Sequence, residues 1–223
     1  MTALPWSESH QRRQRVLRPA WPVVLRRTRP VSDVWGFDRG TPVDRHYIDS
    51  FLDTHRRDIR GRVLEVKDSA YTERYGREVV DRQVLDIDAT NPSATIVADL
   101  SDATQLPTAA FDCFILTQTL HLIYDLQGAV RSCGQLLRPG GVLLVTGPAV
   151  SRVRKDDCWR FTPHSLGRLL EGTFARVSVS SYGNVLAAKA FLDGMAQEEV
   201  PRRLLDKRDE RYPVIVAARA VKG

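Results

Sequence analysis

Short apolar bursts begin at Arg62 and recur to the C-terminus, each closed by Gly, Pro or an acid. The pattern predicts strands at 62–67, 83–87, 95–98, 111–117, 141–147, 174–180 and 213–221. Between the central bursts the period lengthens. Leu126, Ala129, Val130, Cys133, Leu136 and Leu137 fall on one helical face over 126–137, and Arg138-Pro139-Gly140-Gly141 terminates it. Residues 68–82 form a weaker helical stretch, with Tyr71, Tyr75 and Val79 as its only stripe. Upstream, Thr41-Pro42-Val43-Asp44 reads as a helix start, with Thr41 as N-cap and Pro42 first in the helix. Val43, Tyr47, Ile48, Phe51, Leu52 and His55 carry that helix to about Ile59. Short buried strands separated by helices imply an α/β fold: a Rossmann-like, seven-stranded, mostly parallel sheet with helices on both faces.

Residues 1–35 break the pattern. Pro5, Pro19, Pro22 and Pro30 among arginines argue against long regular structure, so they form a basic arm. Trp21 and the Val23–Leu25 patch are its expected anchors. The domain proper runs over 36–223, with a lid helix at 36–60 and the core at 61–223. Charge sharpens this division. Of 33 Lys and Arg and 27 Asp and Glu, residues 1–32 hold seven arginines and one acid, Glu8. The arm thus carries the whole net charge of +6, and the rest balances at 26 against 26. A neutral body argues against a nucleic-acid partner, and a basic arm can simply lie on its own domain. No apolar run approaches the roughly 20 residues of a membrane span. Arginines interrupt any N-terminal apolar segment, which argues against a secretory signal. Cys113, Cys133 and Cys158 show neither disulfide nor zinc spacing, so a reduced cytoplasmic setting fits.

In an open parallel sheet, ligands sit beyond the carboxyl ends of the strands. Those ends carry Glu65, then Asp86 and Asp88, then Asp99 with Leu100 beside it, then Gln118. An acid about 20 residues past the first loop suits the two hydroxyls of a ribose; whether Asp86 or Asp88 does so stays open. The loop after Val63-Leu64-Glu65-Val66 holds Lys67, Asp68 and Ser69, where a cofactor loop commonly has glycines.

These stretches resemble the class I S-adenosylmethionine-dependent methyltransferases from Arg62 onward. VLEV resembles the first motif, VLDID the ribose-binding strand, and ATIVADLSDATQLP the adenine-contacting segment. FDCFILTQTLHLI resembles the fourth strand and its loop, and LLRPGGVLLVTGP the turn into the fifth strand. DDCWRFTP resembles a segment of small-molecule and sugar-modifying branches, and WGFDRGTPVDRHYIDSFL a lid helix. The resemblance implies S-adenosylmethionine as cofactor. Glu65 would orient the loop and the methionine amino group, and Asp86 or Asp88 the ribose. Asp99 and the Leu100 amide would read adenine, with Gln118 near the sulfonium. Arg39, Arg45 and Tyr47 would close over the cofactor carboxylate, with Tyr47 also on the substrate side. His121 is the base candidate, and Trp159 and Arg160 form an acceptor wall. TQTLH lacks the carbonyl and aromatic clamp of an amide or adenine N-methyltransferase. O-methylation of a sugar or specialised metabolite is therefore favoured, ahead of C-methylation, on a small-molecule or glycan acceptor; no metal or membrane is implied, and a homodimer is compatible.

Lys67 departs from the family pattern. It either pairs with the cofactor carboxylate, sits in a loop rebuilt around Tyr71, Thr72 and Gly76, or marks lost binding. The alternatives to methyl transfer are other chemistry on the same fold, or a non-catalytic subunit docking through the arm.

Overall fold

The computed structural model describes residues 7–17 and 28–223. Strand β1 (Gly61–Val66) pairs in parallel with β2 (Val79–Asp86) on one side and β4 (Phe111–Thr117) on the other. Strand β3 (Ile96–Val97) continues outward from β2, and β5 (Leu137–Pro148) from β4. Strand β7 (Ile215–Val221) inserts antiparallel between β5 and β6 (Arg176–Tyr182). The order across the seven strands is β3-β2-β1-β4-β5-β7-β6. The chain moves outward from β1 to β3, then returns to lay β4 against β1. The strand order therefore reverses between β1 and β4, and a crevice forms beyond their carboxyl ends.

Alternation along the central strands splits the core in two. Cys113 and Ile115 face one cluster with Tyr47, Ile48, Phe51 and Leu52 of helix α2 (Val43–Thr54). Phe114 and Leu116 face the other, with Ala129, Val130 and Cys133 of α4 (Leu126–Leu136) and Leu166 and Leu170 of α5 (Pro163–Glu171). A strand covered on both faces reads as a near-continuous apolar run, as Cys113-Phe114-Ile115-Leu116 does, while Asp112 at its half-buried start pairs with Arg138 at 3.0 Å.

Local chemistry differs from the sequence pattern in four places. A ten-residue helix, α1 (Glu8–Leu17), forms inside the arm, in the gap between Pro5 and Pro19. It lies on the domain: Gln11 Nε2 donates to the Phe37 carbonyl at 2.9 Å, and Arg15 to the Arg39 carbonyl. Trp21 and the 23–25 patch lie outside the described residues. Helix α2 starts one residue late: the Thr41 carbonyl, which as N-cap would accept the first helical N–H, accepts from Gln197 N–H at 2.7 Å instead, and Pro42 becomes the cap. It stops at Thr54 rather than near Ile59. The weak stretch 68–82 contains only α3 (Ala70–Tyr75), since Val79 already belongs to β2. Finally, α4 passes straight into β5, with the Pro-Gly-Gly turn inside the strand and Gly140 at φ 79°.

After β6 the chain adds α6 (Val185–Leu192) and α7 (Arg202–Leu205) before β7. No helix among the described residues is long and apolar enough to cross a membrane.

Candidate active site

Two residues at the reversal point hold left-handed backbone without being glycine: Lys67 just past β1, at φ 73°, and Gln118 just past β4, at φ 48°. Left-handed backbone costs an L-residue roughly 1 kcal/mol or more and persists only where its surroundings impose it. The surroundings are identifiable here. Lys67 N–H donates to the Leu85 carbonyl of β2 at 2.9 Å, and its own carbonyl accepts from Asn91 Nδ2 at 2.7 Å. Gln118 N–H donates to the Thr146 carbonyl of β5 at 3.0 Å. Both tips keep the shape a glycine would give. The Lys67 side chain is exposed rather than folded inward.

Glu65 lies beneath this loop, 1% exposed. Its carboxylate accepts from the amides of Tyr71 at 3.0 Å and Thr72 at 2.8 Å, and from the Thr72 hydroxyl at 2.7 Å. Burial pushes its pKa up to about 7, against those three donors, which pull it down. Glu65 therefore shapes the loop directly. Tyr71 also meets Arg45, a side chain 30% exposed whose guanidinium lies 3.5 Å from Asp44.

The acid tips separate by geometry. Strand β2 ends at Asp86, whose Oδ1 accepts from Asp88 N–H at 3.0 Å and whose Oδ2 accepts from Asn91 Nδ2 at 2.6 Å. Each oxygen keeps a free lone pair. Asp88 is exposed, and one of its oxygens is taken by the Thr90 amide and hydroxyl, whose bonds hold its pKa below the ordinary value. Ile87, between them, leaves an apolar side chain 70% exposed. Ala98 N–H donates to the Asp86 carbonyl at 3.0 Å, which brings Asp99 and the buried Leu100 beside the β2 tip. Asp99 Oδ1 accepts from the Ser101 amide and hydroxyl, both at 2.8 Å. Across the crevice, Gln118 Nε2 is buried with no partner among the described residues.

The acceptor-side residues fare unevenly. Tyr47 is 2% exposed, and its hydroxyl donates to the Leu205 carbonyl at 3.1 Å; it is a core residue, not a lid. Arg39 is fully buried and bidentate on Glu199, which removes it from the crevice. His121 sits in a 3-10 turn after β4, 9% exposed. Its Nε2 lies 3.3 Å from Asp157, its Nδ1 is sealed without a partner, and its carbonyl accepts from Cys158 and Trp159 N–H. Burial lowers its pKa to about 4, with Asp157 offsetting only part. Such a histidine is neutral at pH 7 but poorly matched to take a proton from a hydroxyl. It anchors the covering segment instead. Arg160 spends its guanidinium on the Trp159 and Arg152 carbonyls and on Asp157, so it too is structural. Trp159 remains available: 38% exposed, fixed by its indole N–H on the Ile123 carbonyl, with its ring centroid 6.0 Å from that of Tyr124. Asn91, Ile87 and Tyr124 carried no sequence signal beyond loop composition; Asn91-Pro92 reads as a turn.

A shallow groove of about 360 Å³, bounded by Thr72, Gly76, Val79 and Arg82 among others, lies at the start of β2, away from the tips.

Residues 55–145 match the methyltransferase domain family model. No curated protein matches the chain. Among solved structures, an S-adenosylmethionine-dependent methyltransferase from Mesorhizobium loti superposes with TM-score 0.55 at 16% identity, covering 81% of this chain and all (100%) of that one. The fold is that of the class I methyltransferases. Phosphoethanolamine N-methyltransferase 2 of Haemonchus contortus, in complex with S-adenosyl-L-methionine, shares this methyltransferase fold at TM-score 0.55 and 12% identity, covering 78% of this chain and 52% of its own. So does the [4+2]-cyclase SpnF, at TM-score 0.52 and 14% identity over 78% and 80% of the two chains. One fold thus carries differently named activities, and the site must decide the chemistry.

Proposed function

We propose that this protein is a class I S-adenosylmethionine-dependent methyltransferase that O-methylates a small ring-bearing acceptor, a sugar or specialised metabolite. The observation that carries the reading is the pair of left-handed tips at Lys67 and Gln118. Trp35, Glu78 and Ala109 also hold left-handed backbone, but Lys67 and Gln118 do so directly past the carboxyl ends of the adjacent strands β1 and β4, where the strand order reverses and a ligand crevice opens. The residues fit the cofactor. Gln118 Nε2 is a buried donor still lacking an acceptor. Asp86 keeps one lone pair on each oxygen for a ribose diol, and Ile87 offers an apolar face beside it. Among the described residues the Leu100 amide makes no hydrogen bond, which suits it to the adenine edge beside Asp99.

When bound, the sulfonium supplies an activated methyl group. The chain's own contribution is alignment, which can supply a large share of the barrier reduction. Glu65 sets the loop, Asp86 fixes the ribose, and the exposed Lys67 ammonium is suited to the cofactor carboxylate. Trp159 and Tyr124 offer a ring-stacking ledge next to the β4 tip. With His121 sealed, the acceptor proton leaves by solvent rather than to that imidazole. In the alternative reading the fold serves another reaction, as the shared architecture with the cyclase makes physically reasonable.

Titration with S-adenosylhomocysteine tests the reading. At 100 times the dissociation constant it should raise unfolding stability by about 2.7 kcal/mol. No shift in melting temperature at millimolar ligand rejects it.

A further inference from the structure

A lysine in left-handed backbone needs something to hold it there, and the contacts around Asn91 suggest what does. We propose that Asn91 is a positioning residue for the cofactor loop, a latch that fixes Lys67 in the conformation glycine would adopt freely and ties that loop to the ribose acid. This rests on the cofactor reading above. The side-chain amide of Asn91 bonds in three directions. Nδ2 donates to the Lys67 carbonyl at 2.7 Å and to Asp86 Oδ2 at 2.6 Å, while Oδ1 accepts from Ser93 N–H at 3.0 Å. The orientation of the amide is settled by chemistry: two acceptors face the nitrogen and one donor faces the oxygen.

The Lys67 peptide is thereby held from both sides, by the Leu85 carbonyl on its N–H and by Asn91 on its C=O. With glycine at position 67 the backbone would need no such hold. The bond to Asp86 is charge-assisted and stronger than a neutral one. One side chain thus couples the two loops that would grip opposite ends of the cofactor, 24 residues apart in sequence from Lys67.

The test is a double-variant cycle read by calorimetric titration of S-adenosylhomocysteine and by melting temperature. Asn91→Ala should weaken binding about tenfold in the Lys67 protein. In the Lys67→Gly background the same substitution should cost several-fold less affinity, because the strain it offsets is gone and only the bond to Asp86 is lost. Comparing the Asn91 effect within each background removes any direct contribution of the Lys67 ammonium. Asn91→Asp, which keeps the shape but places an acceptor against two acceptors, should be worse than Asn91→Ala in the Lys67 protein. An equal loss in both backgrounds, or none in either, overturns the latch. If the parent protein binds no S-adenosylhomocysteine, the methyltransferase reading fails by itself. The latch is then judged on melting temperature, which Asn91→Ala should lower more with Lys67 present than with glycine; equal lowering or none overturns it.

Discussion

Glu65 and His121 are buried ionisable residues perturbed in opposite senses. Burial raises Glu65 from its ordinary 4.5 to about 7 and lowers His121 from 6.5 to about 4. Folded protein therefore holds an extra proton at Glu65 between those limits, so its contribution is full below pH 4.5 and is lost as pH rises through 7. His121 runs the other way: its contribution is full above pH 6.5 and is lost as pH falls through 4. Each shift corresponds to roughly 3 kcal/mol at its limit. Between pH 4.5 and 6.5 the two slopes oppose each other. Denaturant unfolding of His121→Gln should expose the Glu65 slope, with stability falling relative to the parent as pH rises across that window. Glu65→Gln should show the reverse, and parallel curves for parent and variants would contradict both assignments.

At the scale of elements, the length of β2 chooses between two acids that sequence left equivalent. The strand ends at Asp86, and Asp88 lies two residues beyond it, already bonded to Thr90. A carboxylate at a strand tip is held by the ladder, whereas one in the following turn moves with the turn. Asp86→Ala should weaken S-adenosylhomocysteine binding tenfold to a hundredfold, as loss of a charge-assisted diol contact requires. Asp88→Ala should stay within about twofold. The same titration reads both, and the opposite ranking would shift the ribose to Asp88. Strands and the 126–136 helix were legible because their periodicity is set by burial on two faces. Helix α3 was overestimated because Val79, counted into its stripe, pairs with Gly61 in the sheet. Period alone does not distinguish a helical stripe from the first residue of a strand.

Across the whole molecule, long-range polar ties fix where the N-terminal segment can sit. Arg39, fully buried, grips Glu199 from 160 residues away and also reaches the Gln14 carbonyl of α1 at 3.4 Å. Trp35 donates to Ser151 Oγ at 3.1 Å, with the Arg152 guanidinium 4.1 Å from its ring centroid. Breaking a buried ion pair from one side costs about 3–5 kcal/mol, because the other charge stays buried without its partner. Arg39→Ala should lose that much in urea unfolding. The double variant Arg39→Met with Glu199→Met should be more stable than either Ala single variant. A loss below about 1 kcal/mol for Arg39→Ala would show that the pair does not hold the segment.

The sequence by itself determined the mostly parallel sheet, its strand count, the acids near the strand tips and the confinement of excess charge to residues 1–32. Each follows from local pattern: burial sets periodicity, and counting sets charge. Tertiary structure decided what each polar side chain was free to do. Tyr47, Arg39, Arg160 and His121 looked available because a sequence does not show which partners a folded chain brings to them. Asn91 looked like a turn residue because its two partners, Lys67 and Asp86, become neighbours only once β1 and β2 lie side by side. Hydrogen-bond capacity is finite, and the fold allots it.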